Sequence, residues 1–149
     1  MWYLLLALLL TACGQSGQEA HTFSVDPDLA PYFVSFAKNI GHNTENIAAS
    51  FQSLQLPMVG QCILYSDGTK AIQIDRTYWN SIGDDQKEQL MWHELGHCSM
   101  GLQHTPGFIS SGPMVGCPVS IMNPDVFSYL IDCYTNNKAY YYQEIQSHG

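Results

Sequence analysis

A chain of 149 residues, 46% hydrophobic and 12% charged, has the length and composition of one folded domain and excludes extensive disorder. Five Lys plus Arg against thirteen Asp plus Glu give a formal charge of −8, which argues against a nucleic-acid partner. The acidity by itself names no substrate.

Residues 1–10 are almost wholly apolar, too short a run for a membrane-spanning helix but long enough for the core of a signal peptide. The following Leu10-Thr11-Ala12-Cys13 resembles the lipobox of bacterial lipoproteins. That resemblance implies a signal peptide over 1–12, with Cys13 as the lipidated first residue of the mature chain. It also implies attachment to the bacterial cell envelope, and Gly14 after the cysteine resembles an outer-membrane address. Residues 13–22, rich in Gly, Gln and Ser, read as a flexible tether, and the domain proper is expected over 23–149.

The first element of the domain is a predicted helix. Asp28 can cap it, Pro31 suits its first turn, and Leu29, Phe33, Phe36, Ala37 and Ile40 recur at helical spacing up to a stop at Gly41. Residues 46–51 fit a short strand, with helix an open alternative because of Ala48 and Ala49. Next, Cys62-Ile63-Leu64-Tyr65 and Ala71-Ile72-Gln73-Ile74 flank Ser66-Asp67-Gly68-Thr69, and Asp-Gly between two apolar runs predicts a β-hairpin. Its strand is either an open antiparallel edge, able to pair with an extended peptide, or an interior strand.

A long helix is expected from Asp84 or Asp85, with Asp85 and Glu88 as a capping pair. Met91, Leu95, Cys98 and Leu102 form one apolar stripe on it, whereas His93 and His97 point nearly the opposite way. These two histidines belong to His93-Glu94-Leu95-Gly96-His97, an HExxH motif. On a helix the two imidazoles lie one turn apart on one face, where both reach a single metal ion. Gly101 can end the helix in a left-handed conformation and return His104 as a third nitrogen ligand. Glu94, beside the first ligand without being needed as one, suits the base that takes a proton from an activated water.

Residues 105–113 have loop chemistry and, beginning beside a candidate ligand, are expected to wall a substrate pocket. Ser120-Ile121-Met122-Asn123-Pro124 reads as a compact turn. Val126, Phe127, Leu130, Ile131 and Tyr134 then suggest a helix carrying Cys133, and a last helix from about Asn137 presents Tyr140, Tyr141 and Tyr142 for packing. In an exported chain the four cysteines after Cys13 are expected as disulfides. Of the three possible pairings, Cys62 with Cys98 joins the hairpin to the helix face that packs on the sheet, and Cys117 with Cys133 closes a local turn.

By average residue frequencies HExxH arises by chance in roughly one in several hundred chains of this length, so its context carries the weight. Taken with the Gly-x-x-His and the methionine turn, the chain resembles the metzincin group of zinc metallopeptidases. The specific match covers about residues 84–124. The resemblance implies an α+β zincin-like fold: a small twisted sheet with an antiparallel edge strand packed on the HExxH helix, and a C-terminal helical subdomain. It further implies one zinc ion held by His93, His97 and His104, Glu94 as catalytic base, and Met122 in the turn beneath the metal. The chain departs from the family in spacing, HExxHxxxGxxH in place of HExxHxxGxxH, so a bulge or a longer last helical turn must absorb one residue. Asp125 or a water is the alternative third ligand. Thr105 matches no subfamily marker, and Pro124 stands where some members carry a ligating tyrosine.

Two functions are thereby expected. One is a zinc-dependent endopeptidase acting on a peptide or protein substrate, and the other a lipid-anchored zinc-binding envelope module without catalysis. Glu94 favours the first, since a structural site has no use for a non-ligand carboxylate beside the metal.

Overall fold

A computed structural model describes residues 23–148 apart from Val126, so the expected signal peptide, the tether and Cys13 lie outside the described residues. The first helix, α1 (Ala30–Ile40), takes Pro31 in its opening turn and ends at Gly41 with φ 83°. Asp28 does not cap it. The flanking residue is Leu29, which is buried without any side-chain cap. Phe33, Phe36 and Ile40 form the buried face, as their spacing requires.

The expected strand over 46–51 forms as β1 (Ile47–Gln52), and the expected hairpin forms from β2 (Gly60–Leu64) and β3 (Lys70–Asp75). Gly68 adopts φ 85° in its turn, where Asp67 Oδ1 accepts bonds from the Thr69 N–H at 2.9 Å and its hydroxyl at 2.7 Å. The three strands make one mixed sheet in the order β1-β3-β2, β1 parallel and β2 antiparallel to the central β3. Val25 bridges the outer side of β1. Among the described residues β2 pairs only with β3, so the hairpin contributes an open edge rather than an interior strand.

A short helix that the sequence pattern did not predict, α2 (Arg76–Ser81), follows β3 without a loop. Asp75 caps it by accepting from Tyr78 N–H at 2.8 Å, and its other oxygen accepts from Leu54 N–H at 2.9 Å. These amide bonds hold the Asp75 carboxyl below its ordinary range.

The long helix α3 (Asp84–Met100) packs against β2, β3 and α1. Its N-terminus departs from expectation: the Gly83 N–H donates to Gln86 Oε1 at 3.2 Å. Asp85 and Glu88 instead bind Lys138 Nζ at 2.7 and 2.8 Å, and Glu88 Oε1 also accepts from the hydroxyls of Tyr134 and Tyr142. Met91, Leu95 and Cys98 are buried, but so are Leu90, Trp92, His93 and Glu94. Through residues 89–96 the helix is buried all round, beyond the single apolar stripe that the sequence pattern gives. Trp92 shows why: its ring lies 5.6 Å from Phe36 on one side and 4.3 Å from Tyr142 on the other.

The C-terminal part supplies that second cover. The expected helix after the turn is broken into a 3-10 turn (Phe127–Tyr129) and α4 (Ile131–Asn136), followed by α5 (Lys138–Gln146). Tyr140 and Tyr141 donate to the Val119 and Pro118 carbonyls at 2.8 and 2.9 Å, tying α5 to the segment before the turn. Both expected disulfides form, Cys62–Cys98 between β2 and α3 and Cys117–Cys133 between that segment and α4. Among the described residues no helix is long and apolar enough to cross a membrane.

Candidate metal centre

His93 and His97 project from one face of α3, and the end of that helix brings His104 back over them. Gly101 takes φ 71°, with its N–H bonded to the His97 carbonyl at 3.1 Å. The Leu102 N–H reaches the Gly96 carbonyl, also at 3.1 Å. That closure spans six residues, one more than the bond that usually ends a helix this way. The helix thus ends before Gly101 in a long closing turn, without a bulge in α3.

The result is a three-histidine cluster whose ligand atoms all lie within 4.8 Å of one another. His93 Nε2 is 3.1 Å from His97 Nε2 and 3.2 Å from His104 Nε2. Their opposite ring nitrogens decide what these short approaches mean. His93 Nδ1 lies 2.9 Å from the Ile121 carbonyl oxygen and His97 Nδ1 lies 2.6 Å from that of Leu102. A carbonyl only accepts, so each Nδ1 carries the proton. Burial holds His93 down to about 4, helped by the neighbouring His97 and His104 and opposed by the Ile121 bond. Burial likewise lowers His97. In the neutral rings both Nε2 atoms are bare lone pairs facing each other with no proton to share. A cation among them removes that repulsion, and nitrogens bound tetrahedrally to one ion at about 2.0–2.1 Å stand roughly 3.3 Å apart. The donor set therefore fits a metal ion.

The turn at 120–124 orients this cluster. Ser120 Oγ accepts from the Met122 N–H at 2.9 Å, the Ile121 carbonyl fixes His93, and the Met122 carbonyl accepts from Thr105 N–H at 2.9 Å, next to His104. Met122 itself is buried against Gly96, where an added Cβ would lie 2.5 Å from its Sδ. Only glycine at position 96 lets the turn come so close. Asp125, the alternative ligand, is exposed and outside the cluster.

Glu94 is 4% exposed, and its Oε2 is buried without a hydrogen-bond partner among the described residues. Burial pushes its pKa up to about 8. Its other oxygen packs on the backbone of Gly60 at the start of β2, where a Cβ would lie 2.7 Å from Oε1.

His93, Glu94, His97 and His104 line a cavity of about 620 Å³. Its opposite wall is β2 with residues 55–59 before it, and residues 101–104, Asn123 and Pro124 complete the rim. The loop 105–113 is not part of this wall, contrary to expectation. An isolated bridge between Phe108 and Pro118 ties it back on its own hairpin-like return. Sequence reasoning also missed Gly60 and Gln89, both of which line the cavity. Their only sequence signals are a glycine opening an apolar strand and a polar residue one turn before His93.

The chain matches no family model, no curated protein and no solved structure with which it was compared.

Proposed function

We propose that the chain is a zinc-dependent endopeptidase of metzincin-like fold, anchored to the bacterial envelope by a lipid on Cys13. The observation that carries this reading is a buried Glu94 carboxyl, its Oε2 without a hydrogen-bond partner among the described residues, beside three convergent imidazoles in a cavity flanked by an open strand edge. His93, His97 and His104 would hold the ion, their tautomers preset by the carbonyls of Ile121 and Leu102. Zinc bound there supplies Lewis acidity, polarising the scissile carbonyl and acidifying water.

The remaining chemistry belongs to the chain's own groups. Water adds across the amide, its oxygen to the carbonyl carbon and its proton, by way of Glu94, to the departing nitrogen. Such a carrier must take up and release one proton, and a carboxyl held beside the three imidazoles on the cavity wall is placed to do so. The open edge of β2 offers N–H and C=O groups that hold an extended peptide backbone against the cluster. An extended substrate requires no closed pocket, in keeping with a cavity that runs along a strand.

Glu94→Gln tests the reading. The variant is expected to keep its metal and to lose peptide cleavage by about 10²–10⁴-fold, the range for a positioned acid–base group. Equal inactivity of wild type and variant on a broad peptide library, with both binding zinc, would establish the non-catalytic zinc-binding module instead.

A further inference from the structure

The cavity holds a second buried acceptor that the peptidase reading does not use. Gln89 is 2% exposed, lines the cavity, and its Oε1 has no hydrogen-bond partner among the described residues. It sits one helical turn before His93, on the same face of α3. Apolar residues that line the same cavity include Leu90 on the helix, and Pro57, Met58 and Val59 on the opposite wall. Packing alone would place Leu or Met at position 89, because a buried amide oxygen without a partner is costly. The oxygen is screened from water-sized contact, so a ligand would reach it only by turning the terminal amide about its soft last torsion.

We propose that Gln89 determines the specificity of this site. It selects a peptide side chain that carries a neutral hydrogen-bond donor, an amide above all, on an apolar stem. The stem lies along Leu90, Pro57, Met58 and Val59, and the donor satisfies Gln89 Oε1. A site with a buried acceptor rejects an isosteric side chain lacking the donor, whereas apolar contacts alone discriminate weakly. This inference rests on the peptidase reading for its substrate class, but the recognition it describes can be measured without turnover.

The test uses wild type and Gln89→Met, which conserves side-chain volume, with two readouts. Cleavage preference is mapped by mass spectrometry on a peptide library. Binding to the chelator-treated proteins is measured by calorimetry with two hexapeptides, identical except for a central Gln or Met. Wild type is expected to favour the Gln peptide by roughly tenfold in both readouts, and Gln89→Met to erase or reverse that preference. If both proteins cleave with the same preference, the inference is overturned and the peptidase stands. If neither cleaves but the binding preference disappears in Gln89→Met, the inference stands and the peptidase reading falls. Absence of cleavage together with equal binding of both peptides by both proteins overturns both. Should Gln89→Met fail to fold, Gln89→Glu keeps the acceptor and is expected to retain the amide preference while gaining affinity for a lysine side chain. No gain for lysine would then overturn the proposal.

Discussion

Gly60→Ala should disable Glu94 without removing the metal ligands. The added Cβ would lie 2.7 Å from Glu94 Oε1, 3.2 Å from its Cδ and 3.1 Å from Leu90 Cδ1. Ordinary contact begins near 3.4 Å, so the carboxyl must retreat by at least about 0.7 Å, the difference between 3.4 and 2.7 Å. The strand cannot yield instead, because Gly60 is held in register opposite Ile74 and Cys62, two residues on, is bonded to Cys98. A misplacement approaching 1 Å costs on the order of 10²-fold in rate, about 2.7 kcal/mol of barrier. Overpacking of this kind lowers stability by about 1–3 kcal/mol. The assay compares metal content, thermal melting and kcat on a cleaved peptide for wild type and variant. Full metal occupancy with kcat down roughly a hundredfold is the expected result. A folded variant that cleaves at the wild-type rate, or one that loses metal and activity together, would refute the placement of Glu94 against β2.

The disulfides should contribute unequally: by loop-closure entropy, Cys62–Cys98 with a separation of 36 residues gives about 4 kcal/mol and Cys117–Cys133 with 16 about 3 kcal/mol. Urea unfolding of the two paired Cys→Ala variants measures this, and cleavage should suffer more from the first, which fixes the β2 edge to α3; unchanged unfolding midpoints would contradict it. In chelator-treated protein, burial raises Glu94 from 4.5 to about 8, so the folded state keeps a proton that the unfolded chain has lost, and stability falls as pH rises across that interval. Burial lowers His93 from 6.5 to about 4, so stability falls as pH drops across that interval. Below about 6.5 the lowered His93 and His97 oppose the Glu94 slope, and from 6.5 to 8 the Glu94 loss stands alone at about 2 kcal/mol. Melting curves of Glu94→Gln should lack this alkaline loss; an equal loss in the variant would assign it elsewhere.

Features written in local sequence were legible. The spacing of His93 and His97 set one helical face, Asp67-Gly68 set the hairpin, and the positions of Cys62 and Cys98 set their bond. The features that were missed depend on groups far apart in the chain. The Glu88 side of α3 is covered because tyrosines some fifty residues later donate to its carboxylate. Asp85 and Glu88 have the spacing of a helix cap, but Lys138 draws both away. Gly60 and Gln89 acquire meaning only once β2 lies across the cavity from α3. The short α2 escaped because six residues give too little periodicity, although Asp75 before them is a recognisable cap.

One metal ion held by His93, His97 and His104 is expected to carry the cleavage. Metal analysis of the purified chain and of His97→Ala, each assayed for peptide cleavage before and after chelation, tests it most directly. About one zinc per wild-type chain is expected, lost in His97→Ala, with cleavage abolished by the chelator and restored by added zinc. A wild-type chain without near-stoichiometric metal, or a His97→Ala chain that retains it, would contradict it.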